Sequence, residues 1–245
     1  MTNEKEITYG VRFSEPALIN LILNSLEAYS VLHKNKPKGK EIRTRLETFG
    51  HLFGHIVEID EEHKIFHVDF VNTDTSSKQN TNSVSYNEHA ALLKRDAVRS
   101  FWPSYQYLGD YHTHPYEHFK KVEEIKGFHL SPGDRKEFSS NNSFWKKVEH
   151  RLSLLISIGY MDRAGTREPQ YIGKGYNCIE FTLGNYRLWL SAYYSYLKKG
   201  KLVFSEDESE QIYIDCPSLV GFFWDHAPFG RVRVTQRKTE YNGKD

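Results

Sequence analysis

From residue 7 onward, segments with the hydrophobic spacing of strands and segments with that of helices succeed one another along the chain. Branched and aromatic residues predict strands in the first half, over residues 7–13, 46–59, 65–71 and 105–111. Apolar residues at helical spacing predict helices over 14–32 and 87–101. Ser14 and Pro16 are typical of a helix start, and Pro103 ends the second helix.

The second half of the chain is richer in strand patterns. A helix is predicted from Ser131 to Ser139, and strands are predicted over residues 153–160, 177–183, 186–195 and 211–214. The polar run 73–83 is expected to be a mobile loop. Because strands and helices do not alternate regularly, the predicted class is mixed α+β, with a central, mostly antiparallel sheet flanked by helices.

Charge and cysteine content narrow the function classes. The 245 residues carry 33 basic and 32 acidic side chains, a net charge of +1, which gives no argument for a nucleic-acid or membrane partner. The two cysteines, Cys178 and Cys216, exclude a disulfide scaffold and are expected to be buried thiols in a reducing compartment. The uncharged stretch 16–26 is too short to span a bilayer, so a cytoplasmic location is expected.

A histidine pair follows the strand predicted at 105–111. In an extended strand, residues two apart point to the same face, so His112 and His114 can reach one ion. Pro115 favours an extended conformation at His114. Histidines at this spacing also serve packing and hydrogen bonding, so the pair by itself leaves both interpretations open. A metal site needs a further ligand, for which a carboxylate is a standard choice.

Two other segments carry candidate chemistry. Ser131 and Asp134 begin the predicted helix as a capping pair, and such a cap also holds the Asp134 carboxylate in a rigid position. Glu47 is an acidic residue that breaks an apolar strand pattern, and it is either exposed at a strand start or placed for function. Other histidines of the β-rich region are expected to be core or surface residues rather than ligands: His51, His55, His63 and His67.

Together these segments resemble one family. The order Glu47…Gly50…Leu52…Gly54, then His112-Thr113-His114-Pro115, then Ser131…Asp134 is similar to the signature of the JAMM metalloproteases, also called JAB or MPN-plus domains. The resemblance implies one zinc ion per chain, held by His112, His114 and Asp134 with water in the fourth position. It further implies that Glu47 transfers the proton of that water and that Ser131 donates a hydrogen bond to the oxyanion.

The resemblance also implies a fold and a domain organisation. It predicts an MPN/JAB core of the cytidine-deaminase-like type over residues 1–165, with 166–245 as a strand-rich C-terminal extension packed on the core or continuous with it. The 16 residues 115–130 lie between the histidine pair and Ser131, about twice the connection usual in the family. This insertion is expected either to gate the cleft or contact substrate, or to be a solvated loop.

The implied activity is that of a zinc-dependent isopeptidase or peptidase, which cleaves the C-terminal tail of a ubiquitin-like protein or of its conjugate. A bacterial conjugation or antiphage system is a fitting context, and the protein is expected to act as a monomer or homodimer. Two alternatives stay open: a catalytically inactive scaffold module of the same fold, and a DNA-repair-associated relative. Scaffold members typically lose the Glu, His or Asp, all of which are present here, and the balanced charge argues against nucleic acid.

Overall fold

A computed structural model describes residues 7–31, 33–34, 42–43, 45–79, 81, 83–85, 87–140, 150–165, 168–198, 201–205, 207–217 and 219. Within these residues the helices are α1 (Glu15–Ser30), α2 (Glu88–Phe101), α3 (Phe119–Glu124) and α4 (Pro132–Ser140). The strands are β1 (Thr8–Phe13), β2 (His33–Lys34), β3 (Ile42–Arg43), β4 (Phe49–Glu58), β5 (His63–Thr73), β6 (Lys78–Gln79), β7 (Val84–Ser85), β8 (Gln106–Tyr116), β9 (His150–Tyr160), β10 (Gln170–Tyr171), β11 (Cys178–Leu183), β12 (Tyr186–Lys198), β13 (Lys201–Phe204) and β14 (Ile212–Ile214).

One ten-stranded sheet organises the described part of the chain. Its order is β10-β11-β12-β9-β8-β4-β5-β1-β14, and β13 pairs with β12. Three pairings are parallel, namely β8 with β9, β1 with β5 and β1 with β14, and the others are antiparallel. The parallel pairing of β8 and β9 requires a long crossover, which the segment containing α3 and α4 supplies.

The predicted fold class is wrong. The sheet is mixed, because three of its pairings are parallel, and strands account for 45% of the described structure against 25% for helices. The described residues form a curled sheet with four helices, not a central sheet flanked by helices. β12 pairs with β9 over eleven residues, so this strand of the segment after residue 165 is continuous with the main sheet. Residues 220–245 lie outside the described residues.

Most individual elements were nevertheless predictable. The strands and helices expected from periodicity are present with small shifts at their ends, although Leu32 lies outside the described residues. Ser14 caps α1 as predicted, since its Oγ accepts from the Ala17 amide at 3.2 Å. The polar run 73–83 is partly ordered as a turn and the β6–β7 pair, and residues 80 and 82 lie outside the described residues. Cys178 and Cys216 are buried thiols, as expected.

The sheet curls so that its two ends meet. The amide of Ile214, on edge strand β14, donates to the carbonyl of Tyr176 at 2.9 Å, and the Tyr171 hydroxyl donates to the Ile214 carbonyl at 2.5 Å. The inner side of the curl, together with α1, forms the main apolar core. We call this side the apolar face; its buried members include Tyr9, Leu52, Phe66, Tyr111, Leu154, Phe181 and Leu190. None of the described helices combines the length and the apolar character needed to cross a bilayer.

The opposite side of the sheet is buried but polar. We call it the polar face; on β8, β9 and β12 it carries Asp110, His112, His114, Arg151, Ser153, Ser157, Arg187, Ser191 and Ser195. Arg151 donates through Nε to Asp110 at 3.0 Å, so these two buried charges compensate each other. Residues 117–134, in α3, α4 and the loops around them, cover this face.

A β-bulge determines which face the histidines occupy. Leu52 pairs with Gly109 and Phe53 pairs with Tyr107, so Leu108 is the extra residue of β8. Leu108 and Tyr111 both lie in the apolar core, although they are an odd number of residues apart. The phase of β8 therefore changes at the bulge. Gly109 adopts a positive φ of +154°, and a Cβ there would collide with the Leu152 carbonyl.

Gly109→Ala is expected to lower the free energy of unfolding by roughly 3–5 kcal/mol, because the side chain adds backbone strain and a clash with β9. Urea denaturation followed by circular dichroism measures this change. Gly133→Ala is the matched control, since a Cβ there meets only Ser131 Oγ at 3.4 Å and the residue lies in helix α4. The control is expected to stay within about 1 kcal/mol of the wild type. Equal stability of the two variants would contradict the role assigned to Gly109.

Candidate metal centre

Strand β8 places His112 and His114 side by side on the polar face. Their side chains are almost fully buried, with relative exposures of 3% and 9%, and their ring centroids lie 5.0 Å apart. The segment before β4 runs alongside them: the Thr48 amide donates to Thr113 Oγ1 at 2.9 Å, and the Thr113 amide donates to the Thr48 carbonyl at 3.0 Å. These bonds hold Glu47 beside the histidine pair.

Helix α4 supplies the carboxylate. The Ser131 amide donates to Asp134 Oδ2 at 2.7 Å, and the Asp134 amide donates to Ser131 Oγ at 3.2 Å. This reciprocal pair is the helix cap predicted from the sequence, and it is confirmed. Because the cap fixes both side chains, the Asp134 carboxylate is presented to the histidines with little rotational freedom.

The three side chains converge with the spacing of a zinc site. Asp134 Oδ1 lies 3.3 Å from His112 Nε2, and Asp134 Oδ2 lies 3.3 Å from His114 Nε2. One donor atom from each residue falls within 4.8 Å of the other two. Zinc bonds of 2.0–2.1 Å at tetrahedral angles separate their donor atoms by about 3.4 Å. Two imidazoles and a carboxylate, with one donor atom of each within 4.8 Å of the other two, therefore suit a zinc ion in the number and type of their donors.

The ionisation of these groups suits a cation as well. Burial acts to raise the pKa of Asp134, but the contacts with His112 and His114 outweigh it and hold that pKa well below the ordinary value. For His112, burial acts to lower the pKa, and the Asp134 carboxylate outweighs it and raises the pKa. The carboxylate is thus ionised and demands positive charge, which either a proton on histidine or a metal ion supplies.

Glu47 differs from Asp134 in its environment. Its side chain is 8% exposed, and burial raises its pKa to about 7, a shift that nearby His112 opposes and that the carboxylates of Asp134 and Glu137 reinforce. It lines a cavity of about 420 Å³ together with the two histidines, Asp134, Ser131 and Glu137. A carboxyl group with a pKa near neutrality can take up and release a proton under physiological conditions.

The backbone carbonyl of Gly127 orients the His114 ring through its Nδ1. The carbonyl of Gly127 accepts a hydrogen bond from Ser157 Oγ at 2.7 Å, from Tyr116 Oη at 3.3 Å and from His114 Nδ1 at 3.4 Å. Donation from Nδ1 leaves the lone pair on His114 Nε2, the nitrogen that points to Asp134. The insertion that contains Gly127 therefore fixes the tautomer of a candidate ligand.

The insertion 115–130 is a packed element, so the expectation of a solvated loop is wrong. Val122 and Phe128 are buried in a cluster with Cys178 and Trp189. The Phe128 carbonyl accepts from Ser191 Oγ at 2.7 Å, which anchors the segment to β12. The other expectation for this insertion, gating or substrate contact, stays a prediction.

Sequence reasoning missed two contributors to this site. Asp110 precedes the histidine pair by two residues on the same face and pairs with Arg151, and only the register of β8 and β9 brings these two together. Glu137 follows Asp134 by three residues, one helical turn, and lines the same cavity. That spacing is a signal which could have identified Glu137 from the sequence.

Comparisons with known proteins add little to this geometry. No model of a known protein family matches the chain. No curated protein matches it either. Among solved structures, the solution structure of protein DSY2949 from Desulfitobacterium hafniense is similar, with 14% sequence identity and a TM-score of 0.41. The similarity covers 84% of this chain and 92% of that one.

His114→Ala is expected to bind about one zinc ion per chain fewer than the wild type, because it removes one of three ligands and leaves the ion poorly held. Elemental analysis after zinc loading and dialysis measures the difference. His63→Ala is the control, since His63 is exposed and contacts Asp60 instead. Equal zinc content in the wild type and His114→Ala would rule out this centre as a zinc site.

Proposed function

We propose that the protein is a zinc-dependent hydrolase of peptide or isopeptide bonds, of the type that its JAMM-like motif implies. The observation that carries this proposal is the convergence of His112 Nε2, His114 Nε2 and the Asp134 carboxylate at 3.3 Å contacts, beside the buried Glu47 carboxyl in one cavity. All five residues of the motif thus meet at one place in the chain, although they come from three separate segments.

Each side chain has a distinct part in the proposed reaction. A bound zinc ion supplies an activated water and polarises the scissile carbonyl. Glu47 accepts a proton and returns it to the leaving amine, a task that its pKa of about 7 suits near neutral pH. Ser131 Oγ accepts a hydrogen bond from the Asp134 amide, and its hydroxyl can donate a hydrogen bond to the developing oxyanion, a contribution of about 3 kcal/mol in comparable sites.

The electrostatics favour a catalyst over an inactive scaffold. Glu47, Asp134 and Glu137 bring three carboxyl groups to one cavity, and burial raises the pKa of both Glu47 and Glu137. Carboxylates that lie close together repel one another, and an inactive scaffold gains nothing from bringing them to one cavity. A metal ion with an adjacent proton acceptor accounts for this arrangement.

The proposed substrate is the flexible C-terminal tail of a ubiquitin-like protein joined to an amine. The cavity has the size of a small-ligand pocket, so it suits an extended chain segment rather than a globular body. Its lining includes Ser83, Val84 and Gly133 as well as the larger Phe49 and Tyr116. The cytoplasmic location, the conjugation or antiphage context and the monomer or homodimer state stay predictions.

Glu47→Gln is expected to keep zinc and the fold but to lower the hydrolysis rate by roughly 10²–10⁴-fold, because an amide cannot transfer the proton. The assay follows cleavage of a ubiquitin-like protein fused through its C-terminal tail to an amine, alongside zinc content. Glu88→Gln, at the exposed start of α2, is the control and should cleave like the wild type. Parallel loss of zinc and activity in Glu47→Gln would instead make Glu47 a ligand. Absence of cleavage by zinc-loaded wild type would reject the proposed substrate.

A further inference from the structure

A second group of metal-binding side chains lies on β4 and β5, apart from the cavity. His55 and His67 are directly opposite each other in the antiparallel pairing, and their rings stack with centroids 4.8 Å apart. The Asp69 carboxylate is shared between them: Oδ2 lies 2.8 Å from His55 Nδ1, and Oδ1 lies 3.2 Å from His67 Nδ1. We call His55, His67 and Asp69 the outer cluster.

A bulge in β5 brings the Asp69 carboxylate between the two rings. Phe53 pairs with Phe70 and Gly54 pairs with Val68, so Asp69 is the extra residue. Its carboxylate lies over Gly54, where a Cβ would come within 2.9 Å of Oδ2. Ser14, which follows the neighbouring strand β1, stabilises the bulge because its Oγ donates a hydrogen bond to the Asp69 carbonyl at 2.7 Å.

One ring nitrogen of the outer cluster is buried without a suitable partner. His67 Nδ1 is inaccessible to solvent, and within the described residues it makes no hydrogen bond of acceptable geometry, although Asp69 Oδ1 lies 3.2 Å away. A buried polar atom in this condition costs free energy. A cation placed between this nitrogen and the carboxylate would satisfy both atoms.

We propose that the outer cluster binds a second divalent transition-metal ion, such as Zn²⁺, through Nδ1 of His55, Nδ1 of His67 and the Asp69 carboxylate. These donors are of the type that zinc prefers, and all three fall within 4.8 Å of one another. The 3.2 Å separation is close to the edge of a zinc tetrahedron, and the 2.8 Å contact must lengthen by about 0.5 Å.

The position of the outer cluster assigns the ion a structural role. The side chains of His55 and Asp69 are 44% and 21% exposed, so water can complete the coordination shell. Because His55 and His67 belong to different strands, the ion would cross-link β4 to β5. The site involves neither Glu47 nor the cavity residues, and it stands or falls independently of the proposed hydrolase activity.

Metal counting tests this proposal directly. Metal-free protein is titrated with Zn²⁺, and bound metal is counted by elemental analysis for the wild type, His114→Ala, His67→Ala and the double variant. We expect two ions in the wild type, one in each single variant and none in the double variant. Co²⁺ provides a second readout: in His67→Ala, the visible absorption of bound Co²⁺ should decrease by the contribution of one site.

Controls separate loss of ligands from loss of fold. His63→Ala, on the same strand, is expected to keep both ions, and circular dichroism confirms folding of each variant. Asp69→Asn serves as a second variant if His67→Ala does not fold. The proposal is overturned if His114→Ala binds no zinc, or if folded His67→Ala or Asp69→Asn binds as much as the wild type. The proposal is also overturned if the wild type binds only one zinc ion and His114→Ala binds none.

Discussion

The change of phase in β8 at Leu108 and Gly109 is the constraint on which the candidate metal centre depends. Before the bulge, Tyr107 packs with Phe53 under α2; after it, Tyr111 joins the apolar core. Without the extra residue, the alternation that follows Tyr107 would turn His112 and His114 toward the apolar core, where two imidazoles would lack partners. The bulge requires the positive φ of Gly109 and its contact with the β9 backbone.

Once the histidines occupy the polar face, the cost of burying charge explains how the acidic side chains around them are paired. Asp110 lies against Arg151 one strand away, and Asp134 lies against His112 and His114, so each of these carboxylates has a basic side chain as its partner. For Glu47, burial raises the pKa to about 7, a shift that His112 opposes and that the carboxylates of Asp134 and Glu137 reinforce. Under the proposed function, that shift suits a group which accepts and releases a proton near neutral pH.

The sequence predicted the local parts of this molecule better than their assembly. Strand periodicity, the Ser14 and Ser131 caps and the histidine spacing are decided within a few residues, and the structure brings Glu47, His112, His114, Ser131 and Asp134 together at one cavity. The mixed sheet was not predicted, because the parallel pairing of β8 and β9 depends on a crossover whose packing involves Trp189, far along the chain. For the same reason the link between Gly127 and His114, and the pair of Asp110 with Arg151, had no local signal.

Strand β4 pairs with both histidine-bearing strands, β8 on one side and β5 on the other, and the two histidine groups differ in how their carboxylate is supplied. In each, a glycine-containing bulge lies beside the strand, and a carboxylate stands between two imidazoles. At the centre on β8, the carboxylate comes from a separate helix and leaves a cavity with Glu47 at its side. In the outer cluster, Asp69 comes from the same strand as His67, and the group is open to solvent. Under the two proposals, a cation in the outer cluster would link β4 to β5, whereas a cation in the buried centre would face the cavity.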